Sequence, residues 1–237
     1  MKKQCYLTVT VLLLFTVLSC SKGKEITQEE FINFTFQNRT IDPVNVQLYF
    51  NGEAQYPYIG TGGSFTQKIG FPDSAAMRFT VVQVPDKNAL ADFSYQPGIG
   101  NSTKHILTLY QPYSGTVPFL VLPPADEQFP VPRHTKIQFT YKETNLPDSV
   151  KIRFYYTGDT APRDSCMTSR YHFSNFSEIE LSRYYSLQYE IVNAVTNASL
   201  SIRRNYPGTQ WDLPIDDFLI VSYSKDLYGD PVMTRYY

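Results

Sequence analysis

The chain is poor in cysteine, in histidine and in net charge. Its 237 residues include three cysteines, three histidines and one tryptophan, and the formal net charge is −1 with 18% charged residues. A charge balance so close to neutral gives no electrostatic reason to expect a nucleic-acid partner. Cys5 lies in the leader described below and Cys20 at its end, so Cys166 is the one remaining thiol and a disulfide framework is excluded.

The sequence also lacks a pattern of metal-binding or nucleophilic residues. His105, His134 and His172 lie on separate predicted elements, without a second ligand at metal-binding spacing, so neither a metal nor a cofactor is expected. Cys166 is predicted in a loop, and its neighbours match no signature of a catalytic thiol. The run 60–63, Gly-Thr-Gly-Gly, lacks the lysine of a phosphate-binding loop and is interpreted as a hairpin turn.

Two groups of acidic residues are the only hint of catalysis. Glu178 and Glu180 would share one face of a strand, and three aspartates lie close to Trp211 in the sequence: Asp212, Asp216 and Asp217. Paired carboxylates hydrolyse glycosides when they are held at defined separations. The sequence does not fix such a separation, and acidic residues are common on solvated strands. The chain is therefore predicted not to be an enzyme, with a glycan hydrolase as the less favoured alternative.

One apolar run stands at the N-terminus. Lys2 and Lys3 precede a stretch from Tyr6 to Leu18 that is too short for a stable membrane span, which is typical of a signal peptide. The stretch ends in Leu18-Ser19-Cys20, which resembles the lipobox cut by the lipoprotein signal peptidase. Residues 1–19 are therefore predicted to be a lipoprotein signal peptide, cleaved between Ser19 and Cys20, with Cys20 as the lipid attachment site. The alternative is an ordinary secretory signal that happens to end at a cysteine.

The lipid would be the only membrane anchor, because no later apolar run approaches the length of a span. Each buried methylene contributes about 0.8 kcal/mol, so several acyl chains hold a protein firmly. Ser21 carries no signal for retention in the inner membrane, and Lys22 and Lys24 stand where an acidic surface-export signal would be expected. The predicted location is the outer membrane, facing the periplasm or the cell surface. Residues 20–30 are predicted to be a flexible, lipidated tether.

From Phe31 onward, the sequence predicts short strands joined by turns. Tyr, Phe, Val, Ile and Thr dominate, Pro and Gly recur between short apolar segments, and no sustained helical periodicity appears. In the segment 44–50, Val44, Val46 and Leu48 alternate with polar residues, which predicts a strand with one buried face. Asn51-Gly52 then signals a turn.

An internal repeat divides the remaining chain. Four segments recur in the same order: 32–36 with 137–141, 44–52 with 150–158, 79–84 with 187–192 and 105–110 with 218–223. Two copies of one all-β unit explain this order better than chance, although strands of similar composition can align by accident. We expect β-sandwich domain 1 at 31–122, a stiff Pro-rich linker at 123–133, and β-sandwich domain 2 at 134–237.

These segments resemble a known family, the domain of unknown function numbered 4397. Its opening strand and its alternating "V-x-V" strand correspond to Ile32-Asn33-Phe34 with 44–52, and to Ile137-Gln138-Phe139 with 148–154. The resemblance would cover roughly 31–223, and the Ala-Ser-Pro turn common after the first strand is absent here. It implies immunoglobulin-like antiparallel β-sandwiches in tandem and brings no established activity.

Aromatic residues are abundant, with 19 Tyr and 16 Phe. In an aromatic doublet on a half-buried strand, one ring faces away from the core. Tyr155 and Tyr184, which lie in such doublets, and the lone Trp211 are candidates for stacking on a sugar or anchoring a protein partner, although filling a thin sandwich core or edge is the more common role of such rings. Three Asp-Ser/Thr-apolar segments are candidate O-glycosylation sites, at Ser74, Ser149 and Thr160.

The sequence as a whole predicts a lipid-anchored module of the cell envelope that binds a glycan or an envelope protein. A structural or assembly subunit of an outer-membrane complex or surface fibre is the alternative, in which sheet edges pair with another chain.

Overall fold

The computed structural model describes residues 30–55, 57–71, 77–95, 104–181, 186–205, 216–225 and 231–237. Every regular element in these ranges is a β-strand, so the predicted all-β class is confirmed. Within the same ranges, no helix is long and apolar enough to span a membrane.

Domain 1 contains eight strands in two four-stranded sheets. Their bounds are β1 Glu30–Arg39, β2 Asn45–Phe50, β3 Glu53–Ala54, β4 Ser64–Phe71, β5 Met77–Val84, β6 Ala89–Tyr95, β7 Lys104–Tyr110 and β8 Phe119–Val121. One sheet has the order β4-β1-β7-β8 and the other β3-β2-β5-β6. We call the first the inner sheet and the second the outer sheet of the domain.

Domain 2 repeats this design with eight further strands. They are β9 His134–Tyr141, β10 Ser149–Tyr156, β11 Asp164–Ser169, β12 Ser177–Glu180, β13 Leu187–Asn193, β14 Arg204–Asn205, β15 Asp217–Lys225 and β16 Pro231–Arg235. The inner sheet has the order β12-β9-β15-β16 and the outer sheet β11-β10-β13-β14. The connectivity equals that of domain 1 strand for strand, which confirms a tandem β-sandwich.

The registers support most of the sequence repeat. Phe50 pairs with Phe79 in domain 1, and Tyr156 pairs with Leu187 in domain 2, as the aligned segments require. The fourth match is out of register. Phe34 pairs with His105, but its counterpart Phe139 pairs with Val221, so the alignment of 105–110 with 218–223 is wrong by three residues.

Each sandwich encloses its own core. In β2, Val46, Leu48 and Phe50 point inward, as the alternation predicts. Phe50 meets Phe34 and Phe79 with ring centroids 5.5 and 4.9 Å apart, in edge-to-face geometry. Burying each such ring contributes about 1.5–3 kcal/mol. The equivalent strand of domain 2, β10, likewise buries every second residue: Val150, Ile152 and Phe154. Each outer sheet therefore has one face toward the core of its domain and one face away from it.

The two domains meet through an aromatic cluster that we call the junction. Tyr110 of β7 is fully buried and lies 5.3 Å from the ring of Tyr236 and 5.7 Å from the ring of Phe173. Ile220 of β15 packs into the same cluster. Lys142 Nζ lies 4.4 Å from the Tyr110 ring centroid and donates to the carbonyl of Gln111 at 3.2 Å. The junction joins inner-sheet strands, so both outer sheets lie on the far sides of their domains.

The proline-rich segment between β8 and β9 is fastened to domain 2. Glu178 Oε1 accepts from the amide of Val131 at 2.7 Å, and Asp216 accepts from the amide of Arg133. Lys136 Nζ donates to Glu127 Oε1 at 2.5 Å. Because side chains of three strand regions hold the segment, its course is fixed by domain 2 as well as by its prolines.

Candidate functional site

The outer sheet of domain 1 turns one face to solvent, and this face forms a groove. It has a volume of about 560 Å³ and is lined by Tyr49, Asn51, Gly52, Arg78, Thr80 and Val82. Gln47 and Asp92 complete the same face by strand alternation and register. We call these eight residues the domain 1 face.

The ring of Tyr49 is held along the sheet. Its hydroxyl donates to Gln47 Oε1, two residues earlier on the same strand, at 3.2 Å, and Gln47 Nε2 donates to the carbonyl of Gln55 at 3.4 Å. A tyrosine tied to its own strand in this way lies along β2. The half-buried ring therefore offers a fixed apolar surface at the floor of the groove.

A second ring stands at the edge of this face. Ile59 forms an antiparallel bridge with Val46, and both side chains are buried in the core. Tyr58, the preceding residue, consequently points outward beside Gln47, where its side chain is 55% exposed.

An arginine–aspartate pair forms the polar side of the groove. Arg78 Nε donates to Asp92 Oδ1 at 2.8 Å, and Arg78 Nη2 donates to Asp92 Oδ2, which gives a two-pronged contact. The Arg78 hydrogen bond holds the pKa of the Asp92 carboxyl below its usual value. Both side chains are largely exposed, and exposed ion pairs add little to stability. The pair is thus preorganised and open to a ligand.

Register places ring and pair in one line across the sheet. Tyr49 pairs with Thr80, and Thr80 pairs with Asp92. Two interstrand spacings separate the outer members of this row, about 10 Å. A pyranose has an apolar face and hydroxyls that both donate and accept hydrogen bonds. The row offers matching groups: an apolar ring, a hydroxyl, and a charged pair with free donors and acceptors.

The equivalent face of domain 2 differs in the accessibility of its aromatic ring. Tyr155 is the counterpart of Tyr49, but it is only 2% exposed. The Arg203 guanidinium covers its ring, 3.5 Å from the centroid, and its hydroxyl donates to Glu190 Oε2 at 2.7 Å. In this conformation Tyr155 offers no free ring surface, and its stacking role stays a prediction.

Five of the other predicted site residues are not covered by the structure. Ser19, Cys20, Ser74, Tyr184 and Trp211 lie outside the described residues. Their roles stay predictions.

The two remaining O-glycosylation candidates differ in access. Ser149 is half-buried and paired with Ser169 in β10, whereas Thr160 is exposed in the turn after that strand. Thr160 is therefore the better acceptor of the two by exposure.

Three of the acidic residues singled out in the sequence accept hydrogen bonds from backbone amides. Glu178 and Asp216 fasten the segment before β9, and Asp217 Oδ1 accepts from the amide of Phe218 at 2.8 Å. Asp212 lies outside the described residues. In the described ranges no group of three or more His, Cys, Asp or Glu side chains could hold a metal ion.

Cys166 lies in strand β11, where a loop was predicted. It is buried, and burial raises the pKa of its thiol to about 11. The loop prediction was wrong because Pro162 and Asp164, of types that are depleted in strands, precede Cys166, and pairing with β10 outweighs that preference.

Sequence reasoning missed the domain 1 face. Arg78 and Asp92 are separated by 14 residues, and only the β5–β6 pairing brings them together. The available signal was Tyr49, which alternates with the core residues of β2 and so had to face outward.

Comparisons with known proteins give no family. No protein-family model and no curated protein sequence matches the chain. Among solved structures, the chain is similar to a carbohydrate-binding module of family 26 from Eubacterium rectale Amy13K in complex with maltoheptaose. The two are 13% identical, with a TM-score of 0.29, covering 86% of this chain and 97% of that chain.

A second similar structure is a Bacteroides ovatus protein assigned as an adhesin. It is 9% identical, with a TM-score of 0.22, covering 86% of this chain and 92% of that chain. Likeness at this level supports no inference about a ligand.

Proposed function

We propose that the protein is a non-catalytic glycan-binding module and that the domain 1 face is its binding site. The observation that carries this proposal is the row Tyr49–Thr80–Asp92, in which a fixed ring stands beside a preorganised Arg78–Asp92 pair. A pyranose stacks on Tyr49 and places adjacent hydroxyls at the pair, where the carboxylate accepts and the guanidinium donates. The charges of the pair cancel, which favours an uncharged sugar.

Calorimetric titration of the full-length chain tests this proposal. The panel is maltoheptaose, cellohexaose, mannohexaose and xylohexaose. We expect Tyr49→Ala to weaken binding about tenfold, since aromatic contacts contribute on the order of 1 kcal/mol beyond buried area. Tyr113→Ala is the matched control, because Tyr113 is 56% exposed but lies beside the junction. Equal affinity of wild type and Tyr49→Ala, or no binding to any member, would overturn the proposal.

We also propose that the protein is located at the cell envelope. A lipid on Cys20 would hold the module at the outer membrane, on the tether 20–30. Metabolic labelling with a palmitate analogue should mark the wild type and not Cys20→Ala, and equal labelling of both would exclude the anchor. Membership of the family numbered 4397 stays a proposal, and an alignment of homologues that spans both repeats would test it.

An assembly role is the second candidate, favoured by an apolar surface beside the junction. Ile41, Tyr113, Val117 and Phe119 are 42–78% exposed there. Asp42 fixes the loop that carries two of them, because its carboxylate accepts from Ser114 Oγ at 2.5 Å and from the amide of Gly115 at 2.8 Å. Cross-linking in native membranes should then trap a protein partner that is lost in Val117→Asp. No such partner, together with Tyr49-dependent sugar binding, excludes this role.

A further inference from the structure

The outer face of domain 2 repeats the row of domain 1 with different polar groups. Tyr155 pairs with Gln188, and Gln188 pairs with Asn205, just as Tyr49 pairs with Thr80 and Thr80 with Asp92. The aromatic residue thus holds the same place on the second strand of each domain. The polar residues hold the same places on the fifth and sixth strands.

The polar part of this row suits an uncharged sugar. Gln188 Nε2 donates to Asn205 Oδ1 at 2.9 Å, which orients the two amides side by side. The Asn205 amide still has two donor hydrogens, and the Gln188 carbonyl oxygen is still an acceptor, so neighbouring hydroxyls can bind both. Asn205 is exposed, so this part of the face is open.

The aromatic part of the row is oriented but covered. The Tyr155 hydroxyl is held by Glu190, as that of Tyr49 is held by Gln47. Over the ring lies the Arg203 guanidinium, at 3.5 Å from the centroid, and its Nη1 donates to the carbonyl of Asp159 at 2.6 Å. Arg203 lies just before the two-residue strand β14, on a connection rather than in a sheet.

We infer that the outer face of domain 2 is a second binding site for neutral glycans, in which the Arg203 guanidinium occupies the place that the sugar takes on Tyr49. This inference rests on the proposed function of domain 1. A sugar binds at this site by displacing the planar guanidinium from the Tyr155 ring, while its hydroxyls bind Gln188 and Asn205. Cation–π contacts of this kind compete directly with the ligand, so the second site is weaker than the first as long as Arg203 is present.

The test weakens the first site and uncovers the second. The full-length Tyr49→Ala chain is titrated with the same four oligosaccharides, with and without Arg203→Gln. Removing the guanidinium should raise affinity about 2- to 30-fold, the range of a cation–π contact. Adding Tyr155→Ala should abolish the gain. Arg204→Gln, at an exposed neighbour of Arg203, is the matched control and should give no gain.

A second variant guards against misfolding. Arg203→Lys keeps the positive charge and the aliphatic stem but loses the planar group, and it should give a smaller gain than Arg203→Gln. Thermal unfolding shows whether each variant is folded. If neither Arg203 variant binds more tightly than Tyr49→Ala alone, the second site is overturned. The proposed function still stands in that case, provided that wild type binds and Tyr49→Ala weakens binding.

Discussion

At the scale of single residues, one arginine separates two tyrosines that the repeat makes equivalent. Tyr49 and Tyr155 occupy matching positions on β2 and β10, and each is tied by its hydroxyl to a polar neighbour. Among the described residues, a guanidinium lies over the ring of Tyr155 and none lies over that of Tyr49. Composition and alternation therefore predict an outward aromatic residue in both domains, but they do not predict which ring is accessible.

Asp217 should make stability depend on pH. Burial raises the pKa of its carboxyl above the usual 3.8, so the folded state binds the proton more tightly than the unfolded state. The free energy of unfolding of wild type therefore falls as the pH rises from the usual pKa through the raised pKa of the folded state. Asp217→Asn keeps an oxygen for the Phe218 amide and removes this penalty. We expect the variant to be more stable than wild type at neutral pH, with the advantage vanishing below about pH 4.

Urea denaturation of both proteins between about pH 3 and about pH 7 checks this expectation. Asp126→Asn, at an exposed carboxylate, is the control. A stability difference that is the same at every pH would contradict it.

At the scale of elements, the turn after β2 connects fold and site. Asn51 and Gly52 both have positive φ, 49° and 86°, as a tight hairpin turn with the twist of β-strands requires. Both residues also line the groove, and Asn51 Oδ1 accepts from the amide of Arg78 at 2.8 Å. The turn therefore positions one wall of the domain 1 face.

Gly52→Ala should destabilise domain 1 and weaken sugar binding. Nothing lies within 4 Å of the added Cβ, so the cost is backbone strain alone, about 1–2 kcal/mol. Gly158, with φ 93°, is the counterpart in domain 2. Gly158→Ala should cost a similar free energy in chemical denaturation and leave Tyr49-dependent binding unchanged. Loss of binding in both variants would show that the turn acts through general stability.

The elements also show where sequence reasoning succeeds and fails. Strands with one wet face, such as β2, were predicted because apolar and polar residues alternate. The fourth repeat match failed because β15 is buried along almost its whole length, with apolar residues at Phe218, Leu219 and Ile220 in succession. A strand that is buried on both faces has no alternation to fix its register.

At the scale of the whole molecule, the two sandwiches pack against each other at the junction. The Pro-rich segment predicts a stiff spacer, and the sequence gives no sign that the domains also touch. Tyr110 and Tyr236 meet only in the folded chain, and nothing in their local pattern distinguishes a junction ring from a core ring. The contact could not be predicted because it is made by the outward faces of the inner sheets. The alternation of apolar and polar residues predicts that such faces are exposed to solvent.

Tyr236→Ala should weaken the junction. Tyr236 is 5% exposed, and removing a buried aromatic side chain costs about 3–5 kcal/mol. We expect thermal unfolding, followed by calorimetry, to separate into two transitions, and small-angle scattering to show a more extended particle. Tyr58→Ala, at an exposed ring beside the outer sheet of domain 1, is the control. A single transition at the wild-type temperature would contradict the expected role of the junction.

The parallel pairing of β1 with β7, and of β9 with β15, has a consequence for how the chain is made. Asn33 pairs with Lys104, and Thr135 pairs with Asp217, so neither inner sheet can form until the later residue has been synthesised. A growing chain can thus complete domain 1 while domain 2 is still being synthesised. Closing such distant contacts is slow compared with forming local hairpins. The junction needs Tyr236, which follows the last strand of domain 2, so we expect the two domains to fold separately and to dock last.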